Sequence, residues 1–222
     1  GIKIELSREM SWAGVRDKLN NGELDAAHVL YGLVYGVQMG IGGQQRDMAV
    51  LMNLNHSGQA VTLSAALARD GVHDGDTLAR HMRAASRPFA FAHTFPTGNH
   101  AMLLQYWLAA QGIDPLRDAR VMTVPPSQMV AALRAGQMDG FCAGEPWGYK
   151  AIVDGVGVTA AASGQIWPEH PGKVLGTSAA FARQHPNTCR ALIAAVLDAG
   201  RWIDASDENR LATASVLAAP GY

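Results

Sequence analysis

Cysteine is almost missing from this chain: Cys142 and Cys189 are the only two in 222 residues. They form no spaced motif, so they either pair with each other or lie buried as small apolar thiols. A chain of this length buries on the order of 70% of its unfolded surface, so it needs neither a disulfide nor a metal for stability. An excess of one charge is also missing. Eighteen Lys and Arg face nineteen Asp and Glu, for a net charge of −1, and that balance argues against a nucleic-acid partner, which selects a basic surface. No apolar run reaches the roughly 18 residues of a membrane span. The phosphate-cradling G-x-x-x-x-G-K-[ST], the zinc-binding H-E-x-x-H and the nucleophile elbow G-x-S-x-G are all absent. Gly40-Ile41-Gly42-Gly43 lacks the third glycine of a dinucleotide fingerprint and follows a helical stretch. The eight His fall at no metal-ligand spacing, with His93 and His100 seven apart. There is no initiator Met and no leader. The opening Gly1-Ile2-Lys3-Ile4-Glu5-Leu6 alternates like a strand in mid-fold, so the chain reads as the inside of a longer protein, with any signal peptide outside it.

What is present is a globular α/β pattern. Hydrophobic residues make up 48% and charged residues 17%, against roughly 25% charged in typical soluble domains, which excludes disorder. Period-two or short apolar runs predict strands at 2–6, 24–29, 48–54, 60–63, 89–92, 121–124, 140–143 and 156–160. Helices are predicted at 12–20, capped by Ser11 and closed at Gly22, and at 30–39, 76–85, 97–111, 127–135, 146–154, 186–205 and 207–217. Strands alternating with helices predict mostly parallel sheets. About ten short strands are too many for one small sheet, so two lobes are expected.

An internal echo points the same way. Leu19-Asn20-Asn21-Gly22-Glu23-Leu24-Asp25-Ala26 and Leu133-Arg134-Ala135-Gly136-Gln137-Met138-Asp139-Gly140 share L-x-x-G-x-[LM]-D-[AG]. In each, a helix closes on a left-handed Gly and an Asp opens a strand of small residues. The pattern is also ordinary helix-to-strand punctuation, and both Asp look structural.

Ligands of open α/β sheets bind beyond the carboxyl ends of strands, and in two-lobed proteins between the lobes. Four segments fit that place. Trp12 at a helix start offers an indole N–H, and Gly14 lets a ligand approach the backbone; the alternative is a core Trp. His93 ends a strand just before Thr97, a candidate cap whose helix start attracts anions; His93 is otherwise a satisfied structural residue. The loop Asn53-Leu54-Asn55-His56-Ser57-Gly58-Gln59 projects polar groups into a crevice or into solvent. Glu145, after Cys142-Ala143-Gly144, either faces the crevice or caps the next helix. No nucleophile–base pair is discernible among them.

Taken together, these residues resemble the nitrate/bicarbonate branch of substrate-binding proteins for ABC importers. The resemblance runs nearly end to end, through Ser7-Arg8-Glu9-Met10-Ser11-Trp12, Gly22-Glu23-Leu24-Asp25-Ala26-Ala27-His28, His93-Thr94-Phe95-Pro96-Thr97-Gly98, Tyr106-Trp107-Leu108-Ala109-Ala110, Gly144-Glu145-Pro146-Trp147 and Gln165-Ile166-Trp167. It implies a type II periplasmic-binding-protein fold of two α/β lobes joined by crossover strands. One lobe comprises residues 1–63 and 172–222, its first strand lying upstream of Ile2, and the other residues 64–171. It implies an anion clamped by Trp12 and Gly14, by His93 and by a polar loop residue near Ser57 or Gln59. Nitrate-binding members carry Lys directly after the Trp of the Ile-Trp pair, and bicarbonate-binding members an acid, which implies calcium. This chain has Pro168 and then Glu169. That departure removes the obvious cation, and Lys173 replaces it only if the loop is rearranged.

The leading expectation is therefore a non-catalytic protein that delivers nitrate, nitrite or a similar small inorganic anion to an ABC permease, outside the cytoplasm and without a cofactor. The alternatives are a bicarbonate-binding protein with calcium, a cytoplasmic nitrate-sensing regulator on the same fold, and an enzyme related to pyrimidine-precursor synthases.

Overall fold

The computed structural model describes residues 2–219, which divide into two compact units. The larger spans Arg8–Ser178. It begins with α1 (Trp12–Asn21), β1 (Ala26–Leu30), α2 (Tyr31–Gln38), β2 (Met48–Asn53) and β3 (Gln59–Ser64). Next come α3 (Ala65–Arg69), α4 (Gly75–Ala84), β4 (Phe89–His93), α5 (Asn99–Ala110) and β5 (Ala119–Thr123). A single 3-10 turn at Pro126–Gln128 leads into α6 (Met129–Arg134), followed by β6 (Gly140–Gly144) and α7 (Trp147–Val153). The unit ends with β7 (Gly157–Ala162), α8 (Ser163–Ile166) and β8 (Lys173–Ser178).

The strands form two sheets. The first has the order β1-β8-β2 and is antiparallel throughout. The second has the order β5-β4-β6-β3-β7, with β4 parallel to β5 and β6 but β3 antiparallel to β6 and β7. The expectation of mostly parallel sheets is corrected to mixed ones. The reason lies in the two strands that cross over: β3 enters the second sheet, and β8 re-enters the first, against the direction of their neighbours. The strand at 59–64 lies wholly in the five-stranded sheet, whereas the expected lobe boundary at residue 63 cuts through it.

The crossovers themselves are tied together. His56 and Pro171 form an antiparallel bridge, Ser57 donates its N–H to His170 (2.9 Å), and Gly172 donates to Asn55 (2.9 Å). The Asn55 side chain accepts from the Lys173 N–H at 2.7 Å. This ribbon fixes where β8 begins, and so where Lys173 emerges.

Period two explains the cores. Val61 and Leu63 of β3, Phe89 and Phe91 of β4 and Cys142 of β6 pack under α5, against Leu104, Trp107 and Leu108. The intervening Ala92, Phe141 and Ala143 face α6 and α7. The first sheet's Val29, Leu30 and Val174 pack with Val15 and Leu19 of α1 and Leu33 of α2. The echo has the geometry expected of it: Gly22 and Gly136 take φ of 76° and 68°. Asp139 holds Arg87 and accepts from the Ala90 N–H at 2.9 Å, while the Asp25 carbonyl accepts from the Thr177 hydroxyl.

Three sequence expectations change. Residues 2–6 form no strand despite their alternation: they are exposed and no strand among the described residues pairs with them. β8 was not anticipated, because Lys-Val-Leu-Gly-Thr-Ser is buried on both faces and does not alternate. Thr97 does not cap α5. Gly98 holds that position without a side-chain bond, and the Thr97 methyl and hydroxyl instead fill the space above Gly36 of α2.

The smaller unit holds 2–7 and 179–219 among the described residues. Its helices are α9 (Ala179–Gln184), α10 (Pro186–Asp204), which starts on proline, and α11 (Asp207–Leu217), capped by Ser206 accepting from the Asn209 N–H. Cys142 and Cys189 are both free and buried.

Candidate functional site

Buried polar atoms normally find partners, and one left without costs about 1–3 kcal/mol. Eight buried side-chain N and O atoms among the described residues have no hydrogen-bond partner in the protein. Six of them belong to one neighbourhood: Trp12 Nε1, both amide atoms of Gln59, His93 Nδ1, His100 Nε2 and His170 Nε2. Each is placed by an element already described.

The five-stranded sheet supplies the floor. Gln59 opens β3 directly opposite Gly144, the last residue of β6. Cross-strand partners share a face, so the Gln59 side chain leaves the sheet on the side that Gly144 leaves bare. His93 ends β4 on the face shared with Phe91, by the alternation of that strand. A Cβ placed on Gly144 would lie 3.2 Å from Lys173 Nζ and 3.6 Å from His100 Nε2. The small residue therefore leaves a hollow that an ammonium and an imidazole both face.

The three-stranded sheet supplies the roof. Lys173 opens β8, paired with Leu30 of β1, and its Nζ lies 5.9 Å from the centre of the Trp12 ring. Trp12 begins α1, where Ser11 accepts from the Gly14 N–H at 3.1 Å. Its ring also lies 5.7 Å from that of His28 on β1. Among the described residues no carboxylate pairs with Lys173. The site thus spans the two sheets and carries one uncompensated cation.

Electrostatics keep that cation alone. Burial, then the charge of Lys173 and the neighbouring His93 and His170, hold His100 well below the usual histidine range. His28 keeps a face open to solvent, yet the surrounding protein and then Lys173 push its pKa down to about 4. Burial also lowers His93. His28, His93 and His100 are therefore neutral hydrogen-bonding groups at neutral pH. Burial lowers Lys173 from the ordinary lysine value, so its charge invites an anion. Burial pushes the Cys142 thiol up to about 12, which makes it inert as a nucleophile.

The expected site residues divide accordingly. Trp12, Gln59 and His93 reach the neighbourhood with unpartnered polar atoms. Gly14 lies beside it, but its N–H is already taken by Ser11. Ser57 sits in the crossover ribbon at φ 56°, with its own N–H bonded to His170. Thr97 packs on α2. Glu145 is exposed and accepts the Tyr149 N–H at 3.0 Å, the capping alternative. Sequence reasoning missed His100 and His28, and it gave Lys173 only a conditional role. Lys173 stands in this neighbourhood because the strand it opens crosses back to the first sheet. A His in the first turn of a helix that follows a strand ending in His was the available signal for His100.

A cleft elsewhere in the unit does not coincide with this site. It holds about 490 Å³ near the start of β4 and the end of α6, among Arg69, Arg87, Arg134 and Asp139. Its Arg87 and Arg134 are already paired, with Asp139 and Asp154. A smaller apolar cleft of about 160 Å³, lined by Trp12, Thr94, Phe95 and Pro125 among others, borders the candidate site.

Two sheets exchanging paired crossovers, with a polar site between them, define the two-lobed fold of periplasmic binding proteins. Residues 1–218 match the NMT1-like family, and the chain belongs to it. It is 35% identical over 212 residues to the nitrate/nitrite binding protein NrtA of Synechocystis sp., covering 93% of this chain and 48% of that protein. It is 38% identical over 204 residues to the bicarbonate transport ATP-binding protein CmpC of Synechococcus elongatus, covering 91% of this chain and 31% of that protein. The crystal structure of the periplasmic nitrate-binding protein NrtA from Synechocystis superposes with a TM-score of 0.89 at 35% identity, over 96% of this chain and 57% of that one. The chain thus spans 31% to 48% of the length of these curated relatives.

Proposed function

We propose that this chain binds a small planar oxyanion, nitrate or nitrite first, as the capture component of an ABC importer, and performs no reaction on it. The carrying observation is the set of buried unpartnered polar atoms around the single ammonium of Lys173. A delocalised monoanion matches one cation and several neutral donors, and its exclusion from water strengthens each hydrogen bond. Trp12 Nε1, His100 Nε2 and Lys173 Nζ are the donors, with the Gln59 amide and His93 beside them. Gly14, Ser57, Thr97 and Glu145 shape the surroundings rather than hold the ligand.

Bicarbonate with calcium is the second reading, and the bicarbonate transport relative supports it. Calcium takes about six to eight oxygen ligands, whereas this site offers ring nitrogens, one amide and an ammonium. Glu169 lies 3.6 Å from His56 with 86% of its side chain exposed, and approaches that residue rather than Lys173. The nitrate reading therefore includes no metal. The partner is a membrane permease, reached from outside the cytoplasm; among the described residues no helix is long and apolar enough to cross a membrane.

Calorimetric titration with nitrate, nitrite and bicarbonate, each with and without calcium, tests this reading. Saturable nitrate or nitrite binding independent of calcium is expected. Binding of bicarbonate alone, and only with calcium, would overturn it.

A further inference from the structure

His100 has two ring nitrogens with different fates. Nδ1 meets the Thr94 hydroxyl at 2.5 Å, while Nε2 faces the Gly144 hollow without a partner. Both residues are almost completely buried, Thr94 at 3% and His100 at 1% exposed. Neither ring nitrogen therefore reaches bulk water. A neutral imidazole has one N–H, so whichever nitrogen carries it dictates what the other does.

Two arrangements compete. If Nδ1 donates to Thr94, Nε2 presents a lone pair to the hollow and can accept from the Lys173 ammonium, occupying the cation. If Thr94 donates to Nδ1, Nε2 presents a hydrogen to the hollow alongside the ammonium hydrogens, and an anion accepts from both. Resting on the oxyanion reading above, we propose that Thr94 is a positioning residue: its hydroxyl donates to His100 Nδ1 and fixes the tautomer whose Nε2–H a bound oxyanion accepts. Thr94 itself never touches the ligand. It follows the strand-ending His93, and His100 lies six residues further along in the first turn of α5, so one loop places both partners.

The test reads the tautomer directly. In the ligand-free protein, ¹⁵N spectra of the histidine side chains are expected to show His100 protonated on Nε2. Thr94→Val, nearly the same shape without the hydroxyl, should convert that signal to a mixture or to the Nδ1–H form and weaken nitrate binding at least tenfold. Thr94→Ser, which keeps the hydroxyl, should restore both. Thermal melting of each variant checks that it is folded. An Nδ1–H signal in the unaltered protein would overturn the proposal, and so would Thr94→Val with unchanged tautomer and affinity. Failure of the unaltered protein to bind any oxyanion would instead contradict the functional reading, with the tautomer still judged by the spectrum.

Discussion

The Lys173 ammonium lies 5.9 Å from the centre of the Trp12 ring, although the two residues are 161 positions apart and belong to different elements of the first sheet's layer. The ring face attracts the ammonium as a cation–π contact, while the buried indole N–H is left without an acceptor. Their proximity makes sense as two walls of one acceptor site.

Replacing Lys173 by Met should separate binding from stability. A hydrogen bond to a charged group contributes about 1.5–3 kcal/mol, or about ten- to 150-fold in affinity. Nitrate affinity should fall by that much in a calorimetric titration. The melting temperature should stay level or rise, because a partly buried, unpaired cation has been removed.

Gly144→Ala should abolish anion binding while leaving the fold intact. The new methyl would sit 3.2 Å from Lys173 Nζ and 3.6 Å from His100 Nε2, in the space assigned to the ligand. A circular dichroism spectrum like that of the parent, with no heat on nitrate injection, is the expected pair of results.

The alkaline limb of the pH profile should report Lys173. Its folded pKa is lowered by burial, so the free folded protein loses this proton before the unfolded chain does. Stability of the free protein therefore rises with pH between that lowered pKa and the unfolded value near 10.5. Anion binding requires the charged form. The nitrate-induced rise in melting temperature should shrink over the same window, below pH 10.5.

Thr97 and α2 offer a control on the fold. Gly32→Ala would drive a Cβ into the Thr97 carbonyl oxygen and against Met102 Cε. Overpacking costs about 1–3 kcal/mol, which exceeds the roughly 1 kcal/mol gained in helix propensity. Chemical denaturation should show a net loss of stability. Thr97→Ala, by contrast, should leave nitrate affinity within about twofold, because Thr97 serves packing.

Elements whose side chains follow one period were legible in the sequence. α1, with Ser11 and Gly22 at its ends, and β4, with its alternating Phe89 and Phe91, fall close to where the pattern puts them. β8 was not legible, because a strand buried on both faces has no period of two, and Gly176 further disguises it. The site shared that blindness. Trp12, Gln59 and His93 sit at element ends, where the sequence pattern draws attention to polar groups. Lys173 was discounted because its usefulness depends on where a crossover lands, a tertiary fact with no local signature. Thr97 looked like a cap because Thr is a good capping residue, but the helix starts one residue beyond Gly98.

His93→Ala, in which an unpartnered Nδ1 is removed, should weaken nitrate binding at least tenfold, about 1.4 kcal/mol. Unchanged affinity would show that this ring only borders the ligand.

A crystal structure of the protein with nitrate tests the central claim most directly. The account places the anion beside Gly144, accepting from Lys173 Nζ, His100 Nε2 and Trp12 Nε1. Nitrate bound elsewhere, or those three donors turned to other partners in the complex, would contradict it.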